Sequence, residues 1–240
     1  MPSNRRPFPA VLRNRFLARL PEADYQSLLP LLQPVPLSYG QVLYEPGGPI
    51  EYAYFPTGAV LSALTVMQDG NAIEVATIGN EGMVGHYGLN GKTSPHRMIV
   101  QIEDGGLRIP ARALQKEGAK EGPLKELLAA YNIAFMMQVS QSVACNGLHP
   151  LVQRCCRWLL MSRDRVGSDD LRLSHEYLAI MLGARRASVT DALRPLKEAG
   201  LVRSHRGRLT ILDGAGLEAR ACECYVVVRD EFDRLLGDAP

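Results

Sequence analysis

The stretch LSHEYLAIMLGARRASVTDALRPLKEAGLV, residues 173–202, decides the fold of the C-terminal part of the chain. Ser174 precedes a short apolar pattern that indicates a helix over 177–182, and Gly183 suits the left-handed residue that ends a helix. The apolar spacing that follows indicates a second helix over 184–200 with one buried face. Two helices joined by a glycine turn predict a helix-turn-helix motif.

A basic hairpin follows the two helices. Residues 203–212 read RSHRGRLTIL, two short β-type runs on either side of a turn that contains Gly207. Residues 171–212 carry eight Lys and Arg against three Asp and Glu, and such a local positive charge favours an anionic partner. The order helix, turn, helix, basic hairpin predicts a winged helix-turn-helix that binds duplex DNA.

The DNA-binding hypothesis gives separate roles to the side chains of this segment. The N-terminal end of a recognition helix enters the major groove, where a guanidinium can bind guanine O6 and N7 in bidentate fashion. Hydroxyl groups can donate to phosphate or base, and hairpin cations meet the sugar-phosphate backbone. The predicted DNA-contacting residues are Ser174, Arg185, Arg186, Ser188, Thr190, Arg194, His205, Arg206 and Arg208.

The same pattern leaves an alternative open, in which the basic surface is only solvated or the winged helix contacts protein instead of DNA. Salt separates the alternatives, because binding through several phosphates weakens steeply as the salt concentration rises.

Residues 41–110 change to short β-type runs separated by glycine and proline turns. Asp69-Gly70 is a strong hairpin signal, and Pro34 and Pro36 stop the helical material that precedes the β region. Many short strands at near-regular spacing are typical of an all-β sandwich or barrel. We predict a β sandwich or barrel, with strands near 42–44, 52–55, 59–67, 72–78, 98–102 and 107–109.

A long helix is predicted after the β region, since apolar residues recur every three or four positions. These residues are Leu124, Leu128, Tyr131, Phe135, Val139 and Val143. Residues 127–153 carry no Asp, Glu, Lys or Arg but are too polar to span a membrane. Burial against a second copy therefore predicts a homodimer, with packing on the chain's own barrel as the alternative.

The predicted fold class is α+β. We predict that residues 1–121 form the β domain, residues 122–148 the dimerisation helix, and residues 149–240 the winged helix-turn-helix domain with a C-terminal helix.

The cysteines indicate a reducing cytoplasm, because five of them occur with no CxxC pair and no secretion signal is visible. Cys145 and His149 are four residues apart, but Gly147 and Pro150 disturb a common helix face. Cys222 and Cys224 would point apart on a helix. We therefore expect no metal site.

Enzyme motifs are not recognised in the sequence. His175-Glu176 begins like a zinc-protease motif, but Ala179 stands where the second histidine is needed. We predict no catalytic residues and a protein that is not an enzyme.

The whole chain resembles the Crp/Fnr family of bacterial transcription regulators, from about residue 25 to residue 213, most specifically over 173–202. The resemblance implies that residues 1–121 form an antiparallel β-barrel of jelly-roll, cyclic-nucleotide-binding-like type that acts as a sensor domain. It also implies a dimerisation helix and a winged helix. It places the base-reading arginine on Arg186, while Ala187 replaces the Glu that often follows, so the family's common operator is not expected. It implies a cytoplasmic homodimer that binds double-stranded DNA, with RNA polymerase and a small-molecule effector as further candidate partners.

The resemblance also implies a candidate effector site at Gly82, Gly85, His86 and Arg97. Nucleotide-binding members carry a Glu for the ribose and an Arg followed by Ser or Thr for the phosphate. Here Arg97 is kept, His86 replaces the Glu, and Met98 replaces the Ser or Thr.

Losing two polar anchors costs about 1.5–3 kcal/mol each, so cyclic AMP is not the expected ligand. The alternatives are another anion, a pH signal through His86, or a cyclic-nucleotide response after all. No cysteine precedes Cys145, so the iron-sulfur cluster that some members hold near the N-terminus is not expected, and no signal supports haem.

Overall fold

The structure, a computed structural model, describes residues 13–86 and 93–236. It begins with α1 (Arg15–Ala18), α2 (Glu22–Leu28) and a 3-10 turn over Leu29–Leu31. The strands that follow are β1 (Gln33–Leu37), β2 (Val42–Tyr44), β3 (Tyr52–Pro56), β4 (Val60–Val66), β5 (Ala72–Ile78), β6 (Arg97–Ile102) and β7 (Asp104–Pro110).

These strands form two antiparallel sheets, in the orders β1-β7-β3 and β2-β6-β4-β5. The prediction of antiparallel β structure in this region is confirmed, but the strands do not close into a barrel. Within the described residues no strand pair joins the two sheets; buried side chains such as Phe55, Leu61, Met98 and Leu107 fill the space between them instead. A sandwich of this kind buries its core without a continuous hydrogen-bonded wall.

The prediction that Pro34 and Pro36 only stop a helix was incomplete, because both lie within β1. β1 is the edge strand of its sheet and pairs with β7 alone. Residues two apart in a strand direct their backbone nitrogens to the same side, so an edge strand can turn both proline nitrogens away from its neighbour.

Three helices connect the sheets to the C-terminal part: α3 (Ala111–Gly118), α4 (Pro123–Leu148) and α5 (Leu151–Val166). The long helix is confirmed. Leu124, Leu128, Tyr131 and Phe135 share one face as predicted, but they are buried within the chain itself, which was the alternative to burial against a second copy. Val143 lies on the exposed face. The 26-residue length of α4 gives about 39 Å of helix.

The C-terminal part comprises β8 (Asp170–Arg172), α6 (His175–Met181), α7 (Arg186–Glu198), β9 (Val202–His205), β10 (Arg208–Ile211), α8 (Gly214–Glu218) and α9 (Cys224–Leu236). The strands form a sheet in the order β8-β10-β9. The predicted hairpin therefore gains a third strand, β8, which was not predicted from the sequence.

The two parts of the chain are joined by buried polar contacts. The Trp158 indole on α5 donates to the Glu74 carboxylate on β5 at 2.9 Å, and Arg165 on α5 forms a buried 2.8 Å ion pair with Glu81. α9 folds back along α4, where Phe232 packs on Tyr131 with ring centroids 6.2 Å apart. In the described residues no helix is long and apolar enough to cross a membrane.

Candidate nucleic-acid interface

The turn between α6 and α7 has the predicted geometry. The Ser174 hydroxyl caps α6 by accepting from the Tyr177 backbone N–H at 3.1 Å. Gly183 ends that helix at φ +56°, and a Cβ there would lie 2.6 Å from Ile73 Cδ1 on β5. Glycine is therefore required both by the left-handed backbone and by the close approach of the N-terminal sheet.

α7 presents a basic surface on the side opposite its buried apolar face. Val189, Leu193 and Leu196 are fully buried on its inner face, as predicted. Arg185 is the N-cap residue and Arg186 the first helical residue, both exposed. Two guanidinium groups thus stand at the N-terminal end of the helix, where recognition helices contact base edges.

The hairpin β9–β10 brings further cations to the same surface. Arg206 and Gly207 form its turn at φ +44° and +76°, the combination of a type I′ turn, which suits the twist of a two-stranded hairpin. Leu209 and Ile211 are buried and hold the hairpin on the domain, while its charged side chains remain exposed.

A cleft of about 540 Å³ separates the hairpin from the starts of α6 and α7. Arg186 lines one wall, and His205, Arg206 and Arg208 line the other. Among the described residues none of these three arginines forms an ion pair within 4.0 Å. Their charge is therefore available to an external anion, and the cleft has the chemistry for one phosphodiester strand.

Other predicted DNA contacts already have partners within the protein. Ser174 caps α6. The Thr190 hydroxyl donates to the Arg186 carbonyl at 3.1 Å and lies 3.0 Å from His175 Nδ1. Arg194 pairs with Asp191 at 2.6 Å, both side chains being largely exposed. Arg185, Arg186, Ser188 and the hairpin cations are thus better placed for contact than Thr190.

The candidate effector glycines serve close packing. A Cβ at Gly82 would lie 2.4 Å from the Tyr131 hydroxyl, and one at Gly85 would lie 2.9 Å from Ala53 Cα. The Tyr131 hydroxyl donates to the Met83 carbonyl at 2.8 Å and accepts from the Met83 N–H at 3.1 Å. The segment around Gly82 is therefore fixed to α4 through Tyr131.

His86 lies in the core between the sheets and α4. Its ring packs edge-on against Phe135 and Tyr131, with centroids 4.7 and 5.5 Å away. Burial lowers the pKa of His86 to about 4, so the ring is neutral at pH 7 in this conformation. This argues against a pH signal near neutrality through His86.

Arg97 has different surroundings from His86. Its Nε donates to the Glu45 carboxylate at 2.9 Å, in a partly exposed ion pair. It also lines a cleft of about 810 Å³ that lies between the sheet β2-β6-β4-β5 and the turn before α7. Residues 87–92, which lie between His86 and Arg97 of the candidate effector site, are outside the described residues.

The expectation of no metal site is not confirmed, because Cys145, His149, Cys222 and Cys224 converge into one cluster. The geometric objections to the pairs Cys145–His149 and Cys222–Cys224 do not apply in the folded chain. His149 is the extended C-cap residue of α4 and turns back over Cys145, and Cys222 lies before α9, whereas Cys224 is its first residue. The sequence contains these residues as two close pairs, Cys145 with His149 and Cys222 with Cys224. It does not show that the two pairs meet, because more than 70 residues of chain separate them.

Residues 153–220 match the Crp-like helix-turn-helix domain family. The chain is 23% identical over 189 residues to the global nitrogen regulator of Synechococcus elongatus, covering 74% of this chain and 85% of that protein. It is similar in structure to FixK2 from Bradyrhizobium japonicum, with a TM-score of 0.69 at 16% identity over 80% of this chain and 98% of FixK2. TTHB099, a CRP-family transcriptional regulator of Thermus thermophilus, gives a TM-score of 0.66 at 22% identity, covering 78% and 96% of the two chains.

Residues 153–220 therefore carry a Crp-like helix-turn-helix domain, which follows an antiparallel β sandwich in the chain. The predicted resemblance to the Crp/Fnr family is confirmed, since the matched domain is Crp-like and the fold is similar to that of a CRP-family regulator. The relatives from Synechococcus elongatus and Thermus thermophilus are named as regulators.

Proposed function

We propose that this chain is a cytoplasmic transcription regulator that binds double-stranded DNA sequence-specifically as a homodimer. The observation that carries the proposal is the cleft between α7 and the hairpin, in which Arg186 faces Arg206 and Arg208. Arg186 at the helix start reads a base edge, and the two hairpin arginines hold the adjacent phosphates. The nitrogen regulator, FixK2 and TTHB099 support this class of function by analogy alone.

The exposed face of α4 supports dimer formation. Ile133, Met136 and Val143 are exposed to 66%, 55% and 65%, although large apolar side chains are normally covered. With Ala129, Ser140 and Gly147, which are also exposed, they recur at steps of four and three, the spacing of a two-helix seam. We call these six residues the α4 stripe. A second α4 packed against it would bury the stripe symmetrically.

We infer that cyclic AMP is not the effector. The substituted positions support this, since His86 is buried against aromatic rings and Arg97 is paired with Glu45. Isothermal titration with cyclic AMP and cyclic GMP tests the point. We expect no heat of binding at micromolar ligand, and micromolar affinity for either nucleotide would contradict the inference.

Selection of bound fragments from random duplex DNA by the purified protein tests the proposed function. We expect a two-fold symmetric site whose half-sites lie one turn apart, about 34 Å. Recovery of no enriched sequence in dilute buffer would contradict DNA binding. An enriched but asymmetric site would contradict the homodimer.

The alternative that the winged helix contacts protein predicts a different result in the same experiment. In that case the selected pool stays random, and any residual DNA binding is equal for all sequences. Repeating the selection with a small-molecule extract of the source cells shows whether an effector changes the affinity.

A further inference from the structure

The cluster of Cys145, His149, Cys222 and Cys224 lies where the C-terminal end of α4 meets the start of α9. Cys145 is in the last turn of α4, His149 caps that helix, and the other two cysteines bracket the start of α9. The three sulfur atoms and one histidine nitrogen all lie within 4.8 Å of one another. All three cysteines are buried.

The spacing of these atoms fits a single tetrahedral ion. Zinc with Zn–S near 2.3 Å and Zn–N near 2.0 Å requires neighbouring ligand atoms about 3.8 Å apart for two sulfurs and about 3.5 Å for sulfur and nitrogen. The Sγ atoms of Cys145 and Cys222 are 3.5 Å apart, and Cys224 Sγ is 3.5 Å from His149 Nδ1. A polynuclear iron-sulfur core would need a wider frame.

The surroundings of the cluster match those of protein metal sites. The second ring nitrogen of His149, Nε2, lies 3.3 Å from the Glu223 carboxylate, the carboxylate–histidine pair that orients metal-bound histidines. The Gln141 side-chain amide donates to Cys224 Sγ at 3.1 Å. Hydrogen bonds of this kind orient the ligands of a metal ion. Two of the four candidate ligands thus already have an orienting partner.

A buried cation balances the charge that such a site would carry. Three thiolates, one neutral imidazole and Zn²⁺ leave one excess negative charge. Arg157 on α5 is buried and acts electrostatically on Cys145, as it also does on the buried Glu74 carboxylate of β5. Its Nε and Nη1 have no hydrogen-bond partner among the described residues, which is costly for a buried guanidinium unless an anionic group lies nearby.

We propose that Cys145, His149, Cys222 and Cys224 bind one zinc ion in a Cys₃His site that fastens the start of α9 to the end of α4. Each thiol that binds loses its proton to solvent, so metal uptake releases protons. The His149 imidazole binds through Nδ1, with the Nε2 proton donated to Glu223. This proposal is independent of DNA binding, since its ligands lie away from α7 and the hairpin.

Elemental analysis of the full chain, purified with a thiol reductant and given one equivalent of zinc followed by dialysis, tests the proposal. We expect about one zinc per chain, and X-ray absorption with three sulfurs near 2.3 Å and one nitrogen near 2.0 Å. Zinc well below one per chain overturns the proposal, as does iron with a visible iron-sulfur spectrum. A Cys145–Cys222 disulfide that excludes zinc would also overturn it.

Matched substitutions separate the site from general stability. Cys222→Ala should abolish zinc retention, whereas Cys156→Ala, also a buried cysteine but outside the cluster, should retain one equivalent. If Cys222→Ala fails to fold, Glu223→Gln decides instead. It keeps all four ligands and should weaken zinc binding 10- to 100-fold, while Glu231→Gln on α9 should not; equal affinity of these two variants would contradict the site.

Discussion

At the scale of single residues, the proposed interface assigns some arginines to reading bases and others to holding phosphates. Arg186→Ala should cost about 1–3 kcal/mol on the selected sequence and relax the base preference at one position. Arg206→Ala should weaken all sequences by a similar factor and reduce the salt dependence of binding. Fluorescence anisotropy with selected and scrambled duplexes measures both.

The matched control for these variants is Arg194→Ala, because Arg194 is an exposed arginine on the same helix as Arg186 that already pairs with Asp191. Arg194→Ala should change the affinity for DNA less than Arg186→Ala or Arg206→Ala does. If Arg186→Ala and Arg206→Ala gave the same sequence profile, the division of roles would be wrong.

His86 carries a second prediction at this scale. Its pKa is about 4 in the folded protein because of burial and about 6.5 in the unfolded chain. As the pH falls below 6.5 the unfolded chain takes up a proton that the folded protein does not, so stability is lost on acidification. Between pH 7 and pH 5 this amounts to about 2 kcal/mol.

His86→Phe keeps the aromatic packing and removes the titrating ring, so its free energy of unfolding should fall less between pH 7 and pH 5 than that of the wild type. Urea unfolding at the two pH values measures the difference. His205→Phe, at an exposed site, is the control and should keep the wild-type pH dependence. An unchanged pH dependence in His86→Phe would refute the buried neutral state.

At the scale of elements, periodic helices and turn residues were predictable, and the edge strand was not. α4 and α7 followed from apolar spacing, and the hairpin β4–β5 from Asp69-Gly70. β1 was not predicted because it contains two prolines, which are rare in strands except at the edge of a sheet. Whether a strand lies at an edge depends on its neighbours, here β7.

The α4 stripe gives the prediction at this scale. Ile133→Glu places a charge in the middle of the stripe, which should split the dimer because two buried like charges would face each other across the seam. Light scattering coupled to size exclusion should give twice 26.4 kDa for the wild type and 26.4 kDa for the variant.

Lys125→Glu introduces the same side chain at an exposed position of α4 outside the stripe, and it should remain a dimer. A wild type that elutes as a monomer at micromolar concentration, or an Ile133→Glu variant that stays dimeric, would show that the stripe is not the interface.

At the scale of the whole molecule, the C-terminal part contacts the sheets through two kinds of ion pair, one buried and one exposed. Glu81 and Arg165 form a buried pair, with side chains only 7% and 8% exposed. Glu103 and Arg172 form an exposed pair at 2.6 Å across the same junction, with side chains 48% and 66% exposed. Burial therefore separates two ion pairs that sequence alone would treat alike.

Glu81→Ala leaves the Arg165 guanidinium buried without its carboxylate, which should destabilise the fold by about 3–5 kcal/mol. Glu103→Ala should cost less than about 1 kcal/mol, because exposed pairs are screened by water and salt. Denaturant unfolding of the two variants measures both costs. Equal losses would mean that the Glu81 pair is not sealed from solvent.

The candidate sites differ in how much of each could be predicted from the sequence. The arginines proposed to contact DNA are local in the chain, so the order of the motif was enough to predict that they lie together; their contact with DNA stays a prediction. The Cys₃His cluster joins position 145 to position 224, and the buried network of Glu74 and Trp158 joins β5 to α5. Such long-range contacts depend on how the elements pack, which residue spacing does not encode.

Equilibrium binding of the purified protein to its selected duplex over a range of salt concentrations is the sharpest test of the proposed DNA binding. We expect two chains per duplex. With about six phosphate contacts from two sets of hairpin and helix cations, affinity should fall by about 10³-fold between 50 and 200 mM salt. One chain per duplex, or an affinity that does not change with salt, would contradict the proposal.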